Sequence, residues 1–337
     1  MIKEAIATLV RGNSLSTEEA SVVMQEIMEG QATPSQLGAF LTALSIKGET
    51  MDEITGLARI MREKALRVES DSETIDIVGT GGDRAGTFNI STTAAFVASG
   101  AGLKVAKHGN RAASSQSGSA DVLEALGVRL DLTPKQVSAC LEEVGIAFMF
   151  AQAFHPAMKY VGGTRREIGI PTVFNILGPL TNPAGAQTQV LGVAREPLLE
   201  KMAGALRSLG LRHALVVHGE DGLDEITITG RTHVCELKDG LIRRYTICPE
   251  DFGLSRAEAA SIKGGNAADN AAILRRVLAG ECGPQRDVVL LNAAAALVAG
   301  DRVASMSEGV TLSRQVIDNG KALDKLEQLI SFSRSQA

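Results

Sequence analysis

The chain has 337 residues, a formal net charge of −5, 45% hydrophobic residues, only 3% aromatic residues and no tryptophan. This acidic, aromatic-poor composition argues against a nucleic-acid binder, which needs a basic surface or stacking platforms. Four scattered cysteines without a CxxC pair, and an N-terminus without a signal-like apolar run, predict a cytoplasmic protein. Apolar runs fall short of the roughly 20 residues of a membrane span.

Residues 1–68 carry helix signals only. Three segments place Ser or Thr three residues before Glu or Gln, which is the spacing of a capping box: Ser16–Glu19, Thr33–Gln36 and Thr50–Glu53. Apolar residues then recur at helical spacing. The pattern predicts a small helical domain over residues 1–70.

From Thr74 onward, short β-rich runs alternate with helical segments, which predicts an α/β domain with a mainly parallel sheet over residues 71–337. The first five predicted strands are Thr74–Val78, Leu103–Ala106, Ala147–Phe150, Val190–Val193 and Ala214–Val217. The helices predicted between them include Ser119–Leu126, Thr133–Val144 and Pro197–Leu209. Three later strands, predicted as an antiparallel excursion, are Glu225–Thr229, His233–Glu236 and Ile242–Ile247. Helices near Ala267–Leu278 and Asp287–Ala299, and one more, are expected to close the chain.

Two glycine-containing segments, Val161–Thr164 and Gly178–Pro179, are candidate hinges between the domains, although both also fit ordinary turns. On this hypothesis part of residues 160–190 joins the helical domain.

The run from Asp76 to Asp83 reads as a strand passing directly into glycine, so that backbone N–H groups can approach an anion closely. A helix predicted over Ser91–Ala101 would add the partial positive charge of its N-terminus. Nearby lie Lys107, His108 and Arg111. Neither a Walker loop nor a dinucleotide fingerprint is present. The segment predicts a phosphate or diphosphate site, while a tight turn beside an exposed basic loop remains the alternative.

Two further sets of charged residues bear on the chemistry. Asp224 and Glu225 follow a predicted strand and are oxygen ligands suited to Mg²⁺, although they also fit a solvated acidic turn. Arg165 and Arg166 could bind a carboxylate in bidentate fashion, or could be surface charge.

Seven motifs occur in the order GTGGD, NIST, KHGNR, SGSAD, HPAMK, FNILGPLTNP and HGEDGLDE. Together they resemble the anthranilate phosphoribosyltransferases, and the resemblance runs along the whole chain. It implies the nucleoside phosphorylase/phosphoribosyltransferase type of α/β fold. It also implies a Mg²⁺-dependent enzyme of tryptophan biosynthesis, which joins anthranilate to phosphoribosyl pyrophosphate and releases diphosphate. The family typically forms homodimers through its helical domain.

Carried over motif by motif, the resemblance implies three sets of site residues and no assigned general base. The phosphoribosyl donor would be bound by Gly79, Gly82, Asp83, Thr87, Asn89, Ile90, Ser91, Thr92, Lys107, His108, Gly109, Asn110, Arg111, Ala112, Ala113, Ser114, Ser115 and Ser119. Anthranilate would be contacted by Gly79, Asn110 and Arg165, with His108 and His155 lining its path. Two Mg²⁺ ions would be held by Ser91, Asp224 and Glu225. The chain departs from the commonest family pattern at Gln116, where many members have Lys, and at Pro171, where many have Arg.

Two alternatives stay open at this point. A pyrimidine nucleoside phosphorylase shares the fold, but its Lys-His-Ser-Thr-Gly-Gly opening is replaced here by Asp76-Ile-Val-Gly-Thr-Gly-Gly. A non-catalytic, nucleic-acid-binding relative would be expected to have a basic surface and a degraded substrate site. The net charge of −5 and the presence of Arg165, Asp224 and Glu225 argue against it.

Overall fold

The computed structural model describes residues 1–112 and 116–336 of the chain. Its N-terminal part consists of helices, as predicted. They are α1 (Ile2–Val10), α2 (Thr17–Met28), α3 (Pro34–Lys47) and α4 (Met51–Lys64). All three predicted capping boxes are formed at the starts of α2, α3 and α4. The predicted helical domain is therefore confirmed at the level of its individual helix starts.

The larger part of the chain is built on a seven-stranded sheet among the described residues. The strands are β1 (Thr74–Gly79), β2 (Lys104–Gly109), β3 (Ile146–Phe150), β4 (Thr188–Gly192), β5 (His213–Gly219), β6 (Thr232–Lys238) and β7 (Leu241–Ile247). Their order across the sheet is β3-β2-β1-β4-β5-β6-β7. The first five strands in the chain pair in parallel, and β6 and β7 are antiparallel. The mainly parallel sheet is thus confirmed.

Helices cover both faces of this sheet. They are α5 (Ile90–Gly100), α6 (Ser119–Leu126), α7 (Pro134–Glu143), α8 (Ala151–Phe154), α9 (Lys159–Ile168), α10 (Phe174–Leu177), α11 (Leu198–Ser208), α12 (Ala267–Leu278), α13 (Pro284–Ala299), α14 (Met306–Asp318) and α15 (Lys321–Ser335). The prediction of one helix after α13 is wrong, because a turn at residues 319–320 divides the remaining segment into two. No helix in the described ranges is long and apolar enough to span a bilayer.

The strand predicted over Glu225–Thr229 is also wrong, since these residues form an irregular segment. Its β-branched residues suggest a strand, but side chains replace the partners of a sheet ladder. Asn292 bonds the backbone of Ile226, while the backbone N–H groups of Thr227 and Thr229 donate to the hydroxyls of Thr232 and Thr227, respectively. A segment whose polar groups are satisfied in this way does not need a neighbouring strand.

The sheet separates two apolar cores. One core lies between the sheet and the helices α5, α6, α7 and α12–α15. The other combines α1–α4 with α9–α11 and with side chains from the opposite face of the sheet, including Leu191, Val216 and Cys235. The helical domain therefore shares its core with one face of the sheet.

A short segment, Gly178–Leu180, connects these parts, and we call it the strap. Each of its carbonyls accepts a hydrogen bond from a different element. Gly178 accepts from the His108 ring of β2 (3.2 Å), Pro179 from Gln189 of β4 (2.7 Å) and Leu180 from the half-buried Arg62 of α4 (2.5 Å). One of the two predicted hinge segments is thus bonded to the sheet and to the helical domain at once.

The helical domain contains a fully buried acid, Glu53 in α4. Its carboxylate accepts from the backbone N–H of Leu15 (2.9 Å), from the backbone N–H of Thr50 (2.8 Å) and from the ammonium of Lys47 (2.9 Å). One side chain therefore fixes the loop before α2, the end of α3 and the start of α4.

Replacing Glu53 with Ala should lower the free energy of unfolding by about 3–5 kcal/mol, because it removes the carboxylate that pairs with Lys47 and that accepts the N–H groups of Leu15 and Thr50. Glu19 is a matched control, since it completes the same kind of capping box in α2 but is exposed. Glu19→Ala should lower the free energy of unfolding by about 1 kcal/mol. Urea unfolding followed by circular dichroism measures the free energy of unfolding of both variants. Equal decreases in the two variants would show that burial of Glu53 contributes nothing further to stability.

Candidate functional site

The site lies where the strand order reverses, at the carboxyl ends of β1 and β4, the usual place for ligands in such sheets. Gly79 of β1 and Gly192 of β4 are register partners there. A Cβ atom on Gly79 would overlap the carboxylate of Asp224, and one on Gly192 would overlap its backbone carbonyl. The two glycines therefore make room for an acidic turn that rests directly on the end of the sheet.

Asp224 and Glu225 form this acidic turn. Both carboxylates accept hydrogen bonds from backbone N–H groups of the motifs predicted to bind the phosphoribosyl donor. Asp224 accepts from Gly81 (2.6 Å), and Glu225 accepts from Ser91 in the first turn of α5 (3.1 Å). The Ser91 hydroxyl also bonds Glu225. The N-terminus of a helix favours a carboxylate at this position. The structure thus brings together the three residues predicted to bind metal.

The electrostatics of the acidic turn fit a divalent cation. Burial raises the pKa of Asp224 well above its usual value, and the charges of Glu225 and Asp83 raise it further. Burial also raises the pKa of Glu225, an effect that Lys107 opposes. Among the described residues no three His, Cys, Asp or Glu side chains form a ready metal cage. Mg²⁺ usually takes one or two carboxylates and completes its shell with substrate phosphates and water, so the residues present suit it.

The glycine-rich loop after β1 exposes its backbone. Gly81, Gly82 and Gly86 have positive φ angles of 71°, 84° and 64°, a conformation that glycine adopts without strain. Thr87 forms an isolated β-bridge with Lys263, whose ammonium donates to the carbonyl of Ala85 (2.9 Å). A segment near the C-terminal helices therefore holds the loop in shape, which the sequence analysis did not foresee.

Asn89 was expected to bind the donor, and the structure shows that it also joins three segments. Its side-chain amide donates to the carbonyl of Ser117 (3.2 Å), and its Oδ1 accepts from the buried Asn270 of α12 (3.0 Å). Asn270 in turn accepts from the backbone of Gly265 (2.8 Å). Asn270 was missed because nothing near it in sequence marks it as part of the site.

Lys107 is buried rather than part of an exposed basic turn. Its ammonium donates to the carbonyl of Ile77 (2.5 Å), at the end of β1. Burial lowers the pKa of Lys107, while the carboxylates of Asp76 and Glu225 act in the opposite direction. Its charge therefore lies among buried carboxylates at the base of the site.

The loop after β2 folds back tightly on the start of α6. Gly109 leaves space for the Ser119 hydroxyl, and Gly118 lies against the backbone of Ala112. The guanidinium of Arg111 bonds Asp121 (3.0 Å) and Glu124 (2.7 Å), so its charge is largely balanced by these two carboxylates. Ala113, Ser114 and Ser115, which were predicted to bind the phosphoribosyl donor, lie outside the described residues.

His108 and His155 lie side by side, with ring centroids 5.1 Å apart. Burial is the main cause that lowers the pKa of His108 to about 3 and that of His155 to about 4, so both rings are neutral at physiological pH. Because a carbonyl only accepts, the bond to Gly178 places the proton of His108 on Nδ1. The Nε2 atoms of both rings are buried and have no hydrogen-bond partner among the residues that the structure describes.

Arg165 of α9 is half-buried, and burial lowers its pKa. Its guanidinium lies 5.4 Å from the ring centroid of Phe174 and 3.5 Å from Oδ1 of Asn175. The same Oδ1 accepts the backbone N–H of Thr172 (3.0 Å). Arg165 is therefore oriented by residues of α10 and of the segment that precedes it. Pro171, where many family members carry Arg, is exposed.

A buried polar pair that the sequence analysis missed connects the two sides of the site. Asp76 accepts from the side chain of Asn182 (2.7 Å) and from the backbone N–H of His108 (3.3 Å). Burial raises the pKa of Asp76 to about 6. A charged residue inside an otherwise apolar strand, TIDIV, was the available signal.

Two family models match the chain. A glycosyl transferase family helical bundle domain covers residues 3–65, and a glycosyl transferase family a/b domain covers residues 71–323. Both describe the architecture seen here.

Named relatives match the chain over its length. The anthranilate phosphoribosyltransferase of Dehalococcoides mccartyi is 58% identical over 100% of this chain and 99% of its own. A crystal structure of the Thermus thermophilus enzyme superposes with a TM-score of 0.93 at 48% identity, covering 98% of this chain and 99% of that one. The structure of the Saccharomyces cerevisiae enzyme in complex with phosphoribosyl pyrophosphate and Mg superposes with a TM-score of 0.91 at 30% identity. The match covers 99% of this chain and 98% of that one.

Proposed function

The chain belongs to the anthranilate phosphoribosyltransferase family, and we propose how its residues divide the work of the reaction. The enzyme transfers the phosphoribosyl group of 5-phosphoribosyl 1-pyrophosphate to the amine of anthranilate in tryptophan biosynthesis, giving N-(5-phosphoribosyl)anthranilate and diphosphate. The full-length relatives favour this activity over a pyrimidine nucleoside phosphorylase and over a non-catalytic relative. The observation that carries the residue assignment is the acidic turn, which rests on the glycine-rich loop and on the N-terminus of α5.

The donor half of the site is built from the glycine-rich loop, the start of α5 and the loop after β2. Free backbone N–H groups and the helix N-terminus would bind the diphosphate of the donor. The residues proposed to bind the donor are Gly79, Gly82, Asp83, Thr87, Asn89, Ile90, Ser91, Thr92, residues 107–115 and Ser119. For Arg111 we propose a contact through its backbone, since its guanidinium is paired with Asp121 and Glu124.

Asp224, Glu225 and Ser91 are proposed to hold two Mg²⁺ ions. When bound, Mg²⁺ would neutralise the charge that grows on the diphosphate as it leaves. Asp224 and Glu225 are preorganised for this purpose by the N–H groups of Gly81 and Ser91. The yeast relative described above, which contains phosphoribosyl pyrophosphate and Mg, supports Mg²⁺ as the metal.

The acceptor half is proposed to comprise Arg165, His108, His155, Asn110 and Gly79. Arg165 would pair with the carboxylate of anthranilate, and His108 and His155 would line the path of its aromatic ring. That amine is already neutral at pH 7, so we assign no general base. Holding the amine in line with the sugar carbon, which becomes oxocarbenium-like as diphosphate departs, would supply much of the rate.

We propose that residues 1–70, with part of residues 160–190, form a dimerisation domain attached to a catalytic domain of residues 71–337. Three apolar side chains on neighbouring parts of this first domain are unusually exposed: Val10 (72%), Ile46 (82%) and Ile170 (42%). Bonds from Lys47 to Ser14 and from Ser45 to Pro171 place them near one another. A homodimer would cover them. A cytoplasmic location fits the four cysteines, which are all free.

Asp224→Asn and Glu225→Gln should each lower turnover by about 100-fold or more, because charge stabilisation of the leaving group is lost. The measurement is the loss of anthranilate fluorescence at saturating donor over a range of Mg²⁺ concentrations. In the wild type the signal should disappear only when donor, Mg²⁺ and protein are all present. Glu220→Gln, which changes an exposed acid near the same turn, should behave as the wild type. Full turnover by both site variants would refute the metal assignment.

Arg165→Ala should raise the KM for anthranilate about ten- to hundredfold, the equivalent of one charged hydrogen-bonded pair. The KM for the donor should stay nearly constant. Arg166→Ala is the matched control, since Arg166 is the exposed neighbour on the same helix. Equal increases in both KM values would contradict a role specific to anthranilate.

Ile46→Glu should weaken or abolish the homodimer, because it places a charge within the proposed apolar interface. Sedimentation velocity would show a shift from dimer to monomer. Leu241→Glu is the control, since Leu241 is 63% exposed on β7, outside the first domain. A dimer that survives Ile46→Glu but not Leu241→Glu would move the interface to the sheet edge.

A further inference from the structure

Asn292 is a polar residue in the middle of an apolar helix. It stands in α13 between Val288–Leu291 and Ala293–Val298, and its own exposure is 0%. A buried amide costs free energy unless its donors and acceptor are satisfied. The position therefore calls for an explanation in terms of what the amide binds.

The amide of Asn292 holds one residue from both sides. Its Oδ1 accepts the backbone N–H of Ile226 (2.9 Å), and its Nδ2 donates to the carbonyl of Ile226 (2.9 Å). The remaining N–H donates to the carbonyl of Val288 one turn earlier in α13 (2.9 Å). All three bonds are fully buried, and the third fixes the orientation of the amide on its helix.

Ile226 directly follows Glu225, and the segment around it is irregular and pairs with no strand in the described part of the chain. The acidic turn is thus fixed on two sides. On the sheet side it rests on Gly79 and Gly192, and on the helix side its next residue is bonded to α13.

We propose that Asn292 is a positioning residue for metal binding: by holding the backbone of Ile226 it sets the place of the Asp224 and Glu225 carboxylates. The inference rests on the proposed function of these two residues as Mg²⁺ ligands. Asn292 itself touches neither the substrates nor the ion. Residues that orient metal ligands typically change metal affinity 10- to 100-fold when they are replaced.

The test uses binding rather than activity. Thermal unfolding of the full-length protein is followed while Mg²⁺ is titrated in the presence of inorganic diphosphate. Asn292→Leu keeps nearly the same volume but removes all three hydrogen bonds, and Asn292→Ala is the second variant. Leu297→Ala is the matched control, because Leu297 is equally buried in α13 but lies more than a turn away from Asn292.

We expect the Mg²⁺ concentration for half-maximal stabilisation to rise about tenfold or more in the Asn292 variants. Leu297→Ala should lower the melting temperature without moving that concentration. If the wild type responds to Mg²⁺ and Asn292→Leu responds at the same concentration, the inference is overturned while the metal assignment stands. The inference is also overturned if Leu297→Ala raises the Mg²⁺ concentration for half-maximal stabilisation as much as Asn292→Leu does. If even the wild type shows no response, the metal assignment itself fails.

Discussion

The structure depends on two adjacent carboxylates, one buried and one half-buried, at the end of a parallel sheet. Taking a carboxylate out of water costs several kcal/mol unless other groups replace the lost hydration. Here the replacements come from distant parts of the chain: the N–H of Gly81, the first turn of α5 and the ammonium of Lys107. What remains uncompensated is the mutual repulsion of the carboxylates, which the proposed Mg²⁺ would relieve.

This burial explains features that would otherwise look unrelated. The acidic turn can reach the sheet only because the facing positions in β1 and β4 are glycines. It can remain irregular because an amide from α13 and the hydroxyls of Thr227 and Thr232 satisfy the backbone around it. It can carry charge because a helix begins beside it. Sheet, helices and turn are therefore specified together by one electrostatic requirement.

The range of each interaction decided how much the sequence could predict. Capping boxes join residues three apart, so all three could be predicted from local spacing, and the strands of the parallel sheet followed from β-rich runs. The strand predicted at Glu225–Thr229 failed because Asn292, 66 residues away, takes the place of a ladder partner. Lys107 could be recognised as part of a motif, but its burial depends on the packing of β1 and β2. Asn270 bonds Asn89 across 181 residues, and no local pattern reports such a contact.

The strap has a consequence for how the molecule comes apart. Its successive carbonyls are bonded to the helical domain and to two strands, and the helices of the first domain share an apolar core with one face of the sheet. Neither part can lose its structure without exposing apolar surface and unpaired polar groups of the other. Although two family models divide the chain near residue 70, the shared core and the bonds of the strap couple the stability of the two parts, so that a change that loosens one should destabilise the other.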